Sequence, residues 1–159
     1  MPGYSKYTKK DRLRRRLAFQ YNKKDFASAA RIGEALLRAH IREYTTNSPA
    51  YAKDMYNAAV AISAAGYTKR AVNLYKEFVR RAKLYPQMEL LMASGLTNLA
   101  ILLSGKEAIR LFSQAFEIRK RLLPNNHEDL IASHFNLTRA QSNVIKLGIF
   151  YCFEQLPTL

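Results

Sequence analysis

The same apolar spacing recurs three times along this chain, and that recurrence constrains its fold more than any other feature. Ala29, Ile32, Gly33, Leu36, Leu37 and His40 fall on one face of a helical pattern, and Ala71, Leu74, Tyr75, Phe78, Val79 and Ala82 repeat it 42 positions later. Ala108, Leu111, Phe112, Ala115 and Phe116 repeat it again after a further 37, keeping the offsets 0, 3, 4, 7 and 8. The helical patterns just upstream of each correspond through Asn57-Ala58-Ala59, Asn98-Leu99-Ala100 and Asn136-Leu137-Thr138. Pairs of antiparallel helices repeated every roughly 35–45 residues cannot bury their apolar faces alone, so neighbouring pairs must stack. The expected fold class is all-α, an α-solenoid of helix pairs.

Turn chemistry places the boundaries. A first helix is expected over Lys9–Asn22, and a second over Phe26–Tyr44 with Asp25 as its cap. Ser48 as N-cap and Pro49 as first helical residue open a third, Pro49–Ala65. Gly66 fits the left-handed position that closes it. The fourth, Thr68–Leu84, ends at Pro86, and the fifth, Gln87–Leu103, stops at Ser104-Gly105. A sixth runs Glu107–Leu123 to the Pro124-Asn125-Asn126 break; a seventh, His127–Leu147, ends at Gly148, with a short last helix over Ile149–Leu156. The expected organisation is a flexible basic tail at 1–8, a repeat array at 9–147, and an incomplete last repeat or capping segment at 148–159.

Two of these segments resemble the second-helix signature of tetratricopeptide (TPR) repeats: Gly66-Tyr67-Thr68-Lys69-Arg70-Ala71-Val72-Asn73-Leu74-Tyr75 and Glu107-Ala108-Ile109-Arg110-Leu111-Phe112-Ser113-Gln114-Ala115-Phe116. The stretch Asn126-His127-Glu128-Asp129-Leu130-Ile131-Ala132-Ser133-His134-Phe135-Asn136-Leu137 is similar to the long-repeat, kinesin-light-chain-like variety. In that variety a His-Pro-Asp segment leads into a helix containing Asn-Asn-Leu-Ala; here Glu128 replaces the proline and Thr138 the alanine. The resemblance covers about Lys9–Leu147 and is weaker in the first repeat, where Gly33 holds a large-aromatic position. It implies a right-handed α-solenoid of about three and a half repeats whose first helices line a concave groove.

Little in the sequence points to catalysis. There is no phosphate-binding glycine loop, no dinucleotide fingerprint, no His-Glu-x-x-His and no cysteine pair. His40 lies on an apolar face and is expected to pack; His127 and His134, seven apart, make a helix-start pair rather than a metal site. Cys152, among Phe150, Tyr151 and Phe153, is expected to be an inert buried thiol. The expectation is no enzyme, no metal and no cofactor. No stretch reaches the roughly 20 apolar residues of a membrane helix and no apolar h-region follows the basic N-terminus, so the expected setting is cytoplasmic.

Binding is the better-supported class. By register with Leu17, Ala59, Ala100 and Thr138, the groove positions include Arg14, Arg15 and Tyr21 in the first repeat and Lys53, Tyr56, Asn57 and Ser63 in the second. Ser94, Thr97, Asn98 and Ile101 follow in the third, and Phe135, Asn136, Arg139 and Asn143 in the fourth. Asn57, Asn98 and Asn136 recur at one position, where related repeats hold a ligand peptide's backbone; an amide donates and accepts at once, so it reads extended backbone without demanding a side chain. Arg14, Arg15, Lys53 and Arg139 beside them favour a carboxylate-bearing partner. The expected partner is an acidic peptide segment of another protein.

Charge supports an alternative. The net charge is +14, and residues 1–24 hold nine lysines and arginines against Asp11 alone. Arg12, Arg14, Arg15 and Arg16 on the first helix could track a nucleic-acid backbone, with Tyr4, Tyr7 and Tyr21 stacking on unpaired bases. The apolar end Ile149-Phe150-Tyr151-Cys152-Phe153 points further to a homo-oligomer contact, or to a chain that continues in a longer protein.

Overall fold

The structure is a computed structural model that describes residues 8–43 and 45–154, with side chains described up to residue 143. Seven α-helices follow one another among the described residues: α1 (Lys9–Asn22), α2 (Phe26–Arg42), α3 (Pro49–Ala64), α4 (Thr68–Ala82), α5 (Glu89–Leu102), α6 (Gly105–Leu122) and α7 (Glu128–Glu154). Contacts divide the chain after Met88 into two compact units.

The caps expected at Asp25, Ser48 and Gly66 form, and a further one, at Thr8, opens α1 where a tail residue was expected. Thr8 and Asp11 make a reciprocal capping box at the start of α1: the Thr8 hydroxyl accepts from the Asp11 N–H, and the Asp11 carboxylate accepts from the Thr8 N–H. Asp25 accepts from the Ser28 N–H at 3.0 Å, and Ser48 from the Tyr51 N–H at 3.2 Å with Pro49 opening α3. Gly66 sits at φ +84°, where its N–H reaches the carbonyl of Ser63 and the Tyr67 N–H reaches that of Ile62. That paired closure releases the chain into α4.

Most helix ends fall within two residues of expectation, and three differences have a structural content. Pro86–Met88 form a turn of 3-10 helix, so α5 opens at Glu89 rather than Gln87. Helix α6 begins two residues early, at Gly105. Helix α7 passes through Gly148 to Glu154 without the expected stop or a separate last helix, because a glycine weakens a helix interior without breaking it. The side chains of Ile149–Phe153, including Cys152, and the residues Tyr4 and Tyr7 lie outside the described part, and with them the expected C-terminal self-association surface.

In the first unit α1 packs on α2, α2 on α3 and α3 on α4. The core is the recurrent face: Ala29, Leu36, Ala58, Ala59, Ile62, Ala71, Tyr75 and Phe78 are all buried. Gly33, where Tyr75 and Phe112 stand in the later repeats, has its own cause. A Cβ there would lie 3.0 Å from both Cα and Cβ of Ala58, so the missing side chain lets α2 approach the backbone of α3. In the second unit α5 packs on α6 and α6 on α7 around Leu96, Leu99, Ala100, Leu111, Phe112, Ala115 and Leu130.

Candidate binding clefts

Each unit carries a cleft at the same repeat position. In the first, Arg14, Leu17, Ala18 and Tyr21 of α1 face Tyr56, Asn57 and Val60 of α3 around a cavity of about 310 Å³. In the second, Ala100 and Ile101 of α5 and Asn136, Arg139 and Ala140 of α7 enclose about 330 Å³ with Phe112 of α6. Asn57 and Asn136 occupy the same register position in their repeats, and so do Val60 and Arg139. The clefts are therefore one feature built twice, each mostly apolar and each holding one half-buried amide.

The remaining predicted site residues divide by what they touch. Asn98 is half-buried on α5; Arg15, which occupies the asparagine register in the first repeat, and Lys53 are exposed on α1 and α3. Phe135 is 63% exposed, and the Arg139 guanidinium lies 5.9 Å from its ring centroid. Tyr56 is committed to the fold, its ring 6.2 Å from Tyr75 and 5.3 Å from Phe78. Arg14 and Thr97, expected to face a ligand, are each bound into a buried polar cluster.

The first cluster ties α1, α2 and α3 together. Arg14 donates to the Asp54 carboxylate through Nε at 2.9 and 3.0 Å and Nη2 at 2.7 Å, and to Asp11 through Nη1 at 2.8 Å. His40 lies 2.7 Å from Asp54 through Nε2 and 2.8 Å from the Thr45 hydroxyl through Nδ1. Asp54, already accepting from Arg14, assigns the hydrogen to Nε2; in the neutral ring Nδ1 then accepts from Thr45. Lys10 donates to Thr45 at 3.3 Å and pairs with Glu43. His40 and Asp54 are almost fully buried, whereas Arg14 keeps about a third of its side chain in solvent. The Arg14 pKa is raised, chiefly by its hydrogen bonds to Asp54. The Asp11 carboxyl is lowered, first by its hydrogen bonds with Thr8 and less by Arg14.

The second cluster ties α5, α6 and α7 together. Arg119, 7% exposed, donates through Nη1 to Ser133 at 2.6 Å and Thr97 at 3.0 Å, and through Nη2 to Ser94 at 3.1 Å. Thr97 and Ser94 pass their own hydrogens to the carbonyls of Ala93 and Leu90. Both clusters occupy the same four repeat positions: Asp11, Arg14, His40 and Asp54 correspond to Ser94, Thr97, Arg119 and Ser133. Reading the sequence for groove positions does not single out Asp54 or Arg119. Their signal is a charge inside an apolar stripe: Asp54 next to Met55, and Arg119 at the offset where His40 and Ala82 stand.

No group of three or more potential metal ligands is present among the described residues, and no helix there is long and apolar enough to cross a membrane. No protein-family model and no curated protein matches the sequence. Solved structures do. A crystal structure of nearly identical TPR-like repeats of a kinesin-light-chain protein from Podosopora anserina aligns over 96% of this chain and 80% of its own, at TM-score 0.74 and 18% identity. A variant form of the same repeats aligns equally well, at TM-score 0.74 and 18% identity over 95% of this chain and 79% of that one. BtubC (BKLC) of P. vanneervenii aligns over 90% of this chain and 63% of its own, at TM-score 0.70 and 18% identity. The fold is thus a TPR-like repeat solenoid of the kinesin-light-chain kind, as the motifs implied.

Proposed function

We propose that this chain is a non-catalytic protein–protein interaction module that holds an extended acidic peptide segment of another protein against its first helices. The observation that carries the reading is the twice-built cleft, each copy mostly apolar with one asparagine at the same register, Asn57 and Asn136. An amide on an apolar wall can pair with a peptide's N–H and C=O while the wall receives its side chains. Asn98 supplies the same group from α5. Arg15, Lys53 and Arg139 supply positive charge, and Phe135 an exposed aromatic surface. Thr97 acts one step back, holding the first helices in place; Arg14 lines the first cleft while bonded to Asp54, and Tyr56 forms the wall beside Asn57.

The test is a nuclease-treated pull-down from native lysate, comparing the wild type with Asn57→Ala/Asn98→Ala/Asn136→Ala. A defined protein recovered by the wild type and lost by the triple variant, with unchanged helical signal, is the expected result. Recovery that ignores the asparagines, or that vanishes with nuclease in both proteins, would remove the clefts from the function.

A further inference from the structure

Helices α2 and α4 lie on one side of α3, linked by a two-bond pair in which Arg70 donates to Glu34 at 2.7 and 3.1 Å. Together the two helices hold eight lysines and arginines against Glu34 and Glu77, of which Arg31, Arg38 and Arg70 line one opening while Arg80 and Arg81 pair with Glu77. Between them a cavity of about 490 Å³ opens, lined by Arg31, Glu34, Arg38, Ile62, Tyr67 and Arg70. Arg31 and Arg38 are exposed on α2, and Arg31 bonds to the Ser28 hydroxyl at 2.9 Å. Tyr67 is 58% exposed, yet its backbone is held by the turn at Gly66, whose geometry sets it beside Ile62. An aromatic ring held out in solvent beside arginines gives up most of the burial that would make it useful to the core.

We propose that this face binds single-stranded nucleic acid, with one unpaired base stacked on Tyr67 and the flanking phosphates held by Arg31 and Arg38. Seven residues apart on α2, the two arginines are separated by about 10 Å of helix rise, within reach of phosphates on either side of one nucleotide. Glu34 and Tyr67 together favour a nucleotide over an acidic peptide here. Glu34 stands between the arginines on the same helix, where the amino edge of a base stacked on the exposed Tyr67 ring can donate to it and a run of acidic side chains cannot. Arg70 holds Glu34 in that position. This surface is separate from the clefts that carry Asn57 and Asn136, so either reading can fail without the other.

The experiment is fluorescence anisotropy of the full chain with a labelled twelve-nucleotide deoxycytidine oligomer, titrated at several salt concentrations. Tyr67→Ala should weaken binding roughly ten-fold, within the span of one base–aromatic stack, and Tyr67→Phe should retain it. Arg31→Ala/Arg38→Ala should flatten the slope of log affinity against log salt by about 1.4, the share of two single-strand phosphate contacts. Equal affinity for an abasic oligomer of the same length would overturn the stacking role. So would equally tight binding of a polyglutamate of twelve residues, or a loss confined to Arg12→Ala/Arg15→Ala/Arg16→Ala on α1.

Discussion

The two units place a buried polar cluster at the same four repeat positions, yet build it from opposite chemistry. In the first, a carboxylate at the centre, Asp54, collects donors from Arg14 and His40. In the second, a cation at the centre, Arg119, distributes its donors to three hydroxyls. Both link a second helix to the first helices on either side of it, so the repeat geometry creates the need and side-chain chemistry is free to meet it in two ways. The consequence is an asymmetry in vulnerability. Removing the central group of the first cluster leaves Arg14 with Asp11 alone and the buried His40 Nε2 without its acceptor; removing that of the second leaves neutral hydroxyls, two of which already have carbonyls to bind.

That asymmetry sets the order of expected effects. Asp54→Ala should cost about 3 kcal/mol in urea denaturation, near the low end for a broken buried pair because Arg14 can turn to water. Arg119→Met, which keeps the bulk but not the donors, should cost about 1 kcal/mol. Equal losses at the two sites would break the comparison. Arg119→Lys sharpens it: a point ammonium cannot span three hydroxyls as a planar fork does, so little should be recovered over Met.

Gly33→Ala tests whether α2 and α3 need their close approach. Helix propensity should gain about 1 kcal/mol, and crowding against the Ala58 backbone should cost about 2 kcal/mol, leaving a net loss of about 1 kcal/mol by the same assay. A stabilised variant would show that the helices can separate without penalty.

The smallest expected effect concerns pH. Hydrogen bonds from Arg80, then Arg81, lower the Glu77 carboxyl from 4.5 to about 2. A depressed carboxylate stabilises the fold fully above the unfolded value and loses that contribution as pH falls from 4.5 towards 2. Because Glu77 is about one-third exposed, solvent screening limits the effect to about 0.5 kcal/mol. Glu77→Gln should remove it at pH 7 and leave denaturation at pH 2 nearly unchanged. A difference that persists at the acid end would assign the stabilisation to packing instead.

Much of the fold was legible because its signals are local. Asp25 and Ser48 cap helices by bonding a backbone N–H three residues on, and Gly66 turns the chain through its own φ. Such bonds depend on neighbours in sequence, which spacing reveals. The starts that moved, at Glu89 and Gly105, did so by two residues, the first because Pro86–Met88 form a 3-10 turn ahead of it. The passage of α7 through Gly148 differs, since there a real interruption in the pattern carried less weight than helix continuity.

The candidate site was legible only in part. Register alone placed Asn57 and Asn136 on corresponding walls, because a repeat copies position as well as residue. The same register put Arg14, Thr97 and Tyr56 beside them without showing that partners elsewhere in the fold already hold these side chains. Those partners lie 40 positions from Arg14 at Asp54 and 22 from Thr97 at Arg119.

The sequence by itself therefore determined the helices, their turns and the period on which they stack, since each arises from residues within a few positions of one another. Only the tertiary structure decided which charges face solvent and which are drawn inside. Periodicity records the face a side chain takes on its own helix, while a hydrogen bond depends on the distance to an atom on another. That distance exists only once the helices have packed.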